Sequence, residues 1–150
     1  MKTVTDGWKM IDKRIITFFK KHHVLTVATS AGTEPWCANC FYVYLKEENA
    51  LVFTSGNDTR HGKEFAVNDF VAGSVVLETS VIGKIQGIQF QGKVSEPDGE
   101  LLSAARRAYL MRFPFAALMD TNLWVVQLTL IKMTDNRLGF GKKLMWVKEK

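Results

Sequence analysis

The stretch Ala50-Leu51-Val52-Phe53-Thr54-Ser55-Gly56-Asn57-Asp58-Thr59-Arg60-His61-Gly62-Lys63-Glu64-Phe65 carries the densest chemistry in the chain. An apolar run ends in two hydroxyl residues, passes through Gly-Asn-Asp and enters a basic segment of helical composition. Such a junction offers backbone N–H groups, hydroxyls and cations to one anion, and a phosphate uses all three. Arg60 suits that role because a guanidinium binds two phosphate oxygens at once. The same residues also fit a capped helix with a solvated basic first turn. On the residues alone the two readings stand level.

Trp36-Cys37-Ala38-Asn39-Cys40 has the Cys-x-x-Cys spacing of a redox dithiol. That chemistry needs its first cysteine at a helix N-terminus, where amides and dipole lower the thiol pKa. Here Phe41-Tyr42-Val43-Tyr44-Leu45 follows, which reads as strand. Residues three apart on a strand face opposite sides, so these sulfurs cannot meet. Two small strand residues are the reading favoured. Zinc would require a second Cys/His pair at ligand spacing, and none exists. His22-His23 stands where the first helix ends, a place where histidines satisfy the last carbonyls. No Ser-His-Asp or Gly-x-Ser-x-Gly pattern stands out, nor any Gly-x-x-x-x-Gly-Lys phosphate loop.

The elements that position these residues are legible from periodicity. Trp8, Ile11, Ile15, Phe18 and Phe19 recur at helical steps, with Thr5 or Asp6 as cap. Strands are predicted over Val24 to Thr29, Trp36 to Leu45 and Ala50 to Ser55, with short connections that require antiparallel neighbours. Thr59 to Asn68 is a predicted helix, capped by Asp58 or Thr59. Strands follow at Phe70 to Thr79 and Ile85 to Val94. In the latter, Ile88, Phe90 and Val94 alternate with Gln89, Gln91 and Lys93, so one face is wet. Pro97-Asp98-Gly99 opens another helix, through Tyr109, and Leu123 to Met133 is the sixth strand. Six β-runs with short helices point to a closed or split barrel, since closure removes exposed strand edges.

Composition sets the outer bounds. A chain of 150 residues, 47% hydrophobic and 23% charged, fits one globular domain over 1–150. The net charge of +5 suits a phosphate-bearing ligand as well as a polyanion. Gln86, Gln89 and Gln91 are expected on the wet face, where a nucleic-acid platform would carry aromatics among cations, which argues against nucleic acid. No apolar run reaches roughly 18 residues, so no membrane span is expected. The N-terminus lacks a signal peptide's apolar core, which points to the cytoplasm, and two cysteines make no disulfide framework.

Phe53-Thr54-Ser55-x-x-x-Thr59-Arg60-His61-Gly62-Lys63 resembles the strand-to-helix segment of the pyridoxamine 5'-phosphate oxidase-like FMN-binding split barrels. Val24 to Thr29 with Gly32-Thr33-Glu34-Pro35 resembles that superfamily's first hairpin, and Phe90-Gln91-Gly92-Lys93-Val94 its later strand. The likeness spans about residues 15 to 133 in order and spacing together. The whole chain, with its Asn136 to Gly141 tail, looks most like an uncharacterised bacterial branch of the superfamily.

That resemblance implies a mainly β (α+β) fold, a six-stranded antiparallel split β-barrel with peripheral helices. It further implies a homodimer with FMN in a cleft between subunits. Trp124, Trp146 and Phe140 are candidate interface residues. By position, Thr54 and Ser55 would border the ribityl-phosphate beside Thr59, with Arg60 as main cation. His61 stands where relatives often have lysine, and Lys63 is one turn along. Ala38, Asn39 and Cys40 would run beside the flavin ring, on a strand that here offers no cation. Gln86 or Gln89 would stand for a glutamine that reaches the cofactor, Gln89 being the position adopted. The implied function is FMN binding, extending to flavin-dependent oxidoreductase activity on an unassigned substrate. The alternative is a non-enzymatic barrel holding haem, another tetrapyrrole or a flavin-like small molecule. Pyridoxamine-phosphate oxidation itself is not implied, because the basic residues holding that substrate's phosphate cannot be located.

Overall fold

Alternation of apolar and polar residues drives a curved antiparallel sheet whose concave side becomes the core. The computed structural model describes residues 10–150. In chain order the elements are α1 (Lys13–Lys21), β1 (Val24–Ala31), β2 (Glu34–Leu45), β3 (Ala50–Ser55), α2 (Arg60–Val67), β4 (Phe70–Val76), β5 (Gln86–Ser95), α3 (Gly99–Arg112), β6 (Asn122–Asp135) and β7 (Lys143–Val147). Hydrogen bonding runs β3-β2-β1-β4-β5-β6-β7, and β3 also pairs with β6. That last pairing, from Ala50 opposite Gln127 to Ser55 opposite Asn122, closes the first six strands into a ring. The six-stranded antiparallel barrel expected from sequence is therefore present. Its long β6 pairs with β3 through its first half and with β7 through Leu130–Thr134.

Leu25, Val27, Tyr42, Tyr44, Leu51, Phe53, Ile88, Phe90, Val126 and Ile131 fill the interior. Two helices seal it. From α1, Phe19 stacks on Tyr44 with ring centroids 5.0 Å apart, and the Tyr42 hydroxyl donates to the Phe19 carbonyl at 2.7 Å. From α2, Phe65 packs edge-on against Phe53 and Trp124. The third helix, α3, covers the outer face of β3, where Ala105 and Tyr109 meet Ala50, Val52 and Val125. Arg112, at its end, ties three segments together. Its guanidinium donates to the carbonyls of Lys20, His22 and Tyr42. The end of α1 is thus satisfied by a side chain of α3. The imidazole of His22 instead lies on the Phe18 ring, centroids 4.1 Å apart.

Several expectations require correction. Helix α1 begins at Lys13 with Asp12 as its cap, its side chain accepting from the Arg14 amide; Thr5, Asp6 and Trp8 lie outside the described residues. Strand β4 ends at Val76, short of Thr79. Strand β7 was not anticipated, because Lys143–Val147 is short and follows a glycine-rich turn. Gln86 shares the inward parity of Ile88 and Phe90 and is buried, so only Gln89 and Gln91 are on the wet face. Trp124 and Trp146 are core residues rather than surface ones, whereas Phe140 is fully outside at 87% exposure.

Two glycines record backbone crowding. A Cβ on Gly92 would lie 2.4 Å from the Gln127 carbonyl oxygen, where β5 shifts register against β6 between Gln91 and Gly92. A Cβ on Gly73 would lie 2.2 Å from the Thr26 carbonyl and 2.3 Å from the Phe90 ring that occupies the space above it. Neither obstacle is a flexible side-chain tip. Gly73→Ala is expected to destabilise the fold by about 1–3 kcal/mol through overpacking, read as a lower denaturant midpoint at unchanged slope.

Candidate functional site

The β3–α2 junction is a tight, self-bonded turn. The Thr59 hydroxyl donates to the Gly56 carbonyl at 2.8 Å and accepts from the Gly62 amide at 3.0 Å. A Cβ on Gly62 would come within 2.7 Å of the Gly56 oxygen, so a side chain there would pry the turn open. The Lys63 amide is taken by the Thr59 carbonyl at 3.0 Å. The amides of Arg60 and His61 have no partner among the described residues, as the first turn of a helix leaves them. The positive end of α2, with two unpartnered amides, therefore belongs to a helix whose first turn carries Arg60 and Lys63.

Pleat parity separates the two hydroxyl residues that precede this turn. Thr54 faces outward, sharing a 3.0 Å hydrogen bond with the Tyr109 hydroxyl of α3. Ser55 faces inward and meets Nε2 of His61 at 2.5 Å. His61 is buried, with its ring near Phe65, and burial holds its pKa below the ordinary value. Ser55 and His61 thus bond to each other behind the turn, while Thr54 opens onto a different cleft. That cleft, of 460 Å³, lies between α3 and the start of β6, with Thr54, Arg106, Tyr109, Leu110 and Asn122 among its walls.

Arg60 is held by three groups. Its guanidinium lies 4.4 Å from the centre of the Trp36 ring, with Glu64 at 3.3 Å and Glu34 at 3.7 Å. Glu64 is fixed in turn by the buried Thr29, whose hydroxyl donates to its other carboxylate oxygen. That hydrogen bond, followed by the bond and charge of Arg60, holds the Glu64 carboxyl below its usual pKa. Glu64 stands four residues after Arg60, a spacing legible in sequence. Thr29 and Trp36 are brought in only by the pairing of β1 with β2, which sets them opposite each other.

The remaining predicted residues lie along β2 and β5. Ala38 and Cys40 have inward parity and pack against the core. Burial pushes the Cys40 thiol up to about 11, so it is a protonated thiol at neutral pH. Cys37, three residues earlier, is exposed on the opposite face, and both cysteines are free. Asn39 points outward and accepts from the Thr26 hydroxyl at 2.8 Å. Strand register then sets Asn39, Thr26, Ser74, Gln89 and Lys132 in one row across the outer face. The adjoining row, Cys37, Ala28, Ala72, Gln91 and Leu130, also has small residues at its centre. Phe41, Phe70 and Val76 stand exposed around these rows. The structure therefore gathers Ser55, Thr59, Arg60, His61 and Lys63 at one junction, sends Thr54 to the α3 side and places Asn39 and Gln89 on the broad outer face.

A UPF0306 protein of Photorhabdus laumondii is 45% identical over 142 residues, covering 95% of this chain and 96% of that one. This chain belongs to the UPF0306 family. No family model matches it. Among solved structures, the haem-binding protein of Mycobacterium smegmatis superposes on the UPF0306 chain with a TM-score of 0.75 at 20% identity. That match covers 92% of this chain and 59% of the mycobacterial one. An FAD-binding protein of Mesorhizobium loti gives a TM-score of 0.66 at 10% identity, covering 83% and 94%. At such identities the likeness establishes the shared split-barrel fold. Among the described residues, no helix is long and apolar enough to cross a membrane, and no cluster of His, Cys, Asp and Glu could hold a metal.

The buried His61 makes stability depend on pH in a defined direction. Its folded pKa lies below the ordinary value of 6.5, so the unfolded chain binds the proton first as pH falls. Its contribution is complete above that value and is lost as pH drops through the lowered folded one. The denaturant midpoint should fall below about pH 6.5, and His61→Gln should flatten part of that slope. His22, also lowered by burial, contributes in the same direction.

Proposed function

We propose that this UPF0306 chain is a flavin-binding split barrel, a single domain over 1–150 that takes FMN with its phosphate at the β3–α2 junction. The observation that carries the reading is the turn itself. The Thr59 cap and the Gly56–Gly62 contact leave the Arg60 and His61 amides unpartnered at the start of a helix whose first turn carries Arg60 and Lys63. A phosphate is the group that such a junction binds best. Ser55 and His61 would support the turn from behind, whereas Thr54, bonded to Tyr109 on the α3 side, would stand outside the site. The backbone of Ala38, Asn39 and Cys40 would run along the ring, with Gln89 of the outer face near it. Neighbours in the same fold whose names state FAD or haem binding support a planar, conjugated ligand.

When bound, the flavin supplies hydride chemistry, which makes a cytoplasmic oxidoreductase the corresponding activity. The protein would orient the ligand and exclude water. Haem is the second reading, favoured by the haem-binding neighbour with a TM-score of 0.75. The visible spectrum of freshly purified protein separates the two, because flavin and haem absorb in different bands.

Arg60→Ala should weaken FMN binding about 10- to 100-fold, the value of a charged hydrogen bond of ~1.5–3 kcal/mol. Riboflavin, lacking the phosphate, should bind both forms alike. Equal FMN affinity in the two proteins would remove the junction as the phosphate site.

The same reading includes a two-fold homodimer across the outer face. Small side chains at the centre of its rows let a second copy approach, and the exposed Phe41, Phe70 and Val76 supply apolar area at its margins. Ala72→Arg should convert a dimer into a monomer in sedimentation velocity while leaving the circular dichroism spectrum unchanged. A wild-type monomer at micromolar concentration would overturn the shared-cleft arrangement.

A further inference from the structure

We infer that Glu34 and Glu64 set the junction's selectivity for phosphate-bearing ligands: Glu64 positions Arg60, and Glu34 occupies the place on Arg60 that a ligand phosphate takes over. The inference rests on the junction being the phosphate site, as proposed above.

The two carboxylates are held in different ways. Glu64 offers one oxygen to Arg60 and the other to the hydroxyl of Thr29, which is 2% exposed and lies inside the barrel wall. Its side chain is only 12% exposed, so it cannot swing aside. Glu34 touches Arg60 at 3.7 Å from the first residue of β2, with 84% of its side chain in water. An exposed pair at that separation is weak and its acid is free to leave. Trp36 fixes the guanidinium from a third direction, its ring under the plane at 4.4 Å. Arg60 is therefore already aimed, and one of its two acidic partners is replaceable.

Local charge gives this arrangement its consequence. Arg60 and Lys63 face three carboxylates, Glu34 and Glu64 on Arg60 and Asp58 folded over Gly56, so a weakly charged anion gains little by entering. A phosphate dianion can displace one exposed carboxylate and add the two open amides. A ligand with no phosphate displaces nothing. Glu34 thus acts as a resident competitor that only a strong anion outbids, and Thr29 with Glu64 acts as the positioning pair.

The test titrates FMN, riboflavin and inorganic phosphate into wild type, Arg60→Ala, Glu34→Gln, Thr29→Val and Thr29→Ser, and follows tryptophan emission with phosphate. Glu34→Gln should tighten FMN and phosphate binding about three- to tenfold and leave riboflavin unchanged. Thr29→Val should weaken FMN several-fold, and Thr29→Ser, which keeps the hydroxyl, should restore it. Phosphate should change the emission of wild type but not of Trp36→Phe, since the cation leaves or shifts on that ring as Glu34 is displaced. If Arg60→Ala weakens FMN but Glu34→Gln changes nothing, the competitor role is wrong while the phosphate site stands. If neither substitution matters, both fall. Glu34 is a surface residue, so its variant folds whether or not Thr29→Val does.

Discussion

Pairing of β3 with β6 over six residues turns an open sheet into a ring, and the β3–α2 junction exists where it does because of that pairing. Ser55 is the last residue of β3 and lies opposite Asn122, so the chain must leave the wall there. The Trp124 indole N–H donates to the Ser55 carbonyl at 3.2 Å, fixing the departure point from inside. Helix α2 then turns back over the barrel end, with His61, Gly62 and Phe65 buried beneath it and Arg60 exposed. A core packed around Phe53, Phe65 and Trp124 thereby dictates where Arg60 emerges into solvent. Packing and anion chemistry are coupled through one short helix.

The outer wall follows from the same closure. Inward parity belongs to Leu25, Val27, Val71, Val75, Ile88 and Phe90, so Thr26, Ala28, Ala72, Ser74, Gln89 and Gln91 are left outside. Helix α3 covers β3, and among the described residues no helix packs over the centre of this second face. Around it the exposed side chains become large and apolar.

How much of this was legible depends on the range of the interaction. Strand β3, helix α2 and the Thr59 cap follow from local rules, since a hydroxyl before a helical run satisfies first-turn amides wherever it occurs. The alternation in β5 leaves Gln89 and Gln91 on the wet face, and the same two-residue period, counted back from Ile88, turns Gln86 inward against the expectation of a wet face. The separation of Cys37 from Cys40 needed only the two-residue period of a strand. By contrast, Glu34 and Trp36 reach Arg60 from β2, and Thr29 of β1 reaches Glu64, contacts that exist only after the hairpin has paired. Arg112 was illegible for the same reason, because nothing around it in sequence shows the carbonyls it serves. Strand β7 has five residues and pairs only with the free half of β6, so no hairpin turn or long alternation announces it. The opposite facing of Thr54 and Ser55 follows from the pleat alone and was available from sequence.

The Arg112 clamp bears on the order in which this chain can become folded. The carbonyl of His22 is served by a residue 90 positions later, and the ring is closed by β6, later still. During synthesis the N-terminal helix therefore emerges with its last carbonyls served by water alone, and β1 to β3 emerge as an open sheet with two edges. Neither defect is repaired until nearly the whole barrel has left the ribosome. Structure of this kind gains its stability late and all at once, since its contacts join distant parts of the chain. The interval before closure is the period in which the exposed edges of β3 and β5 are most open to pairing with another nascent chain.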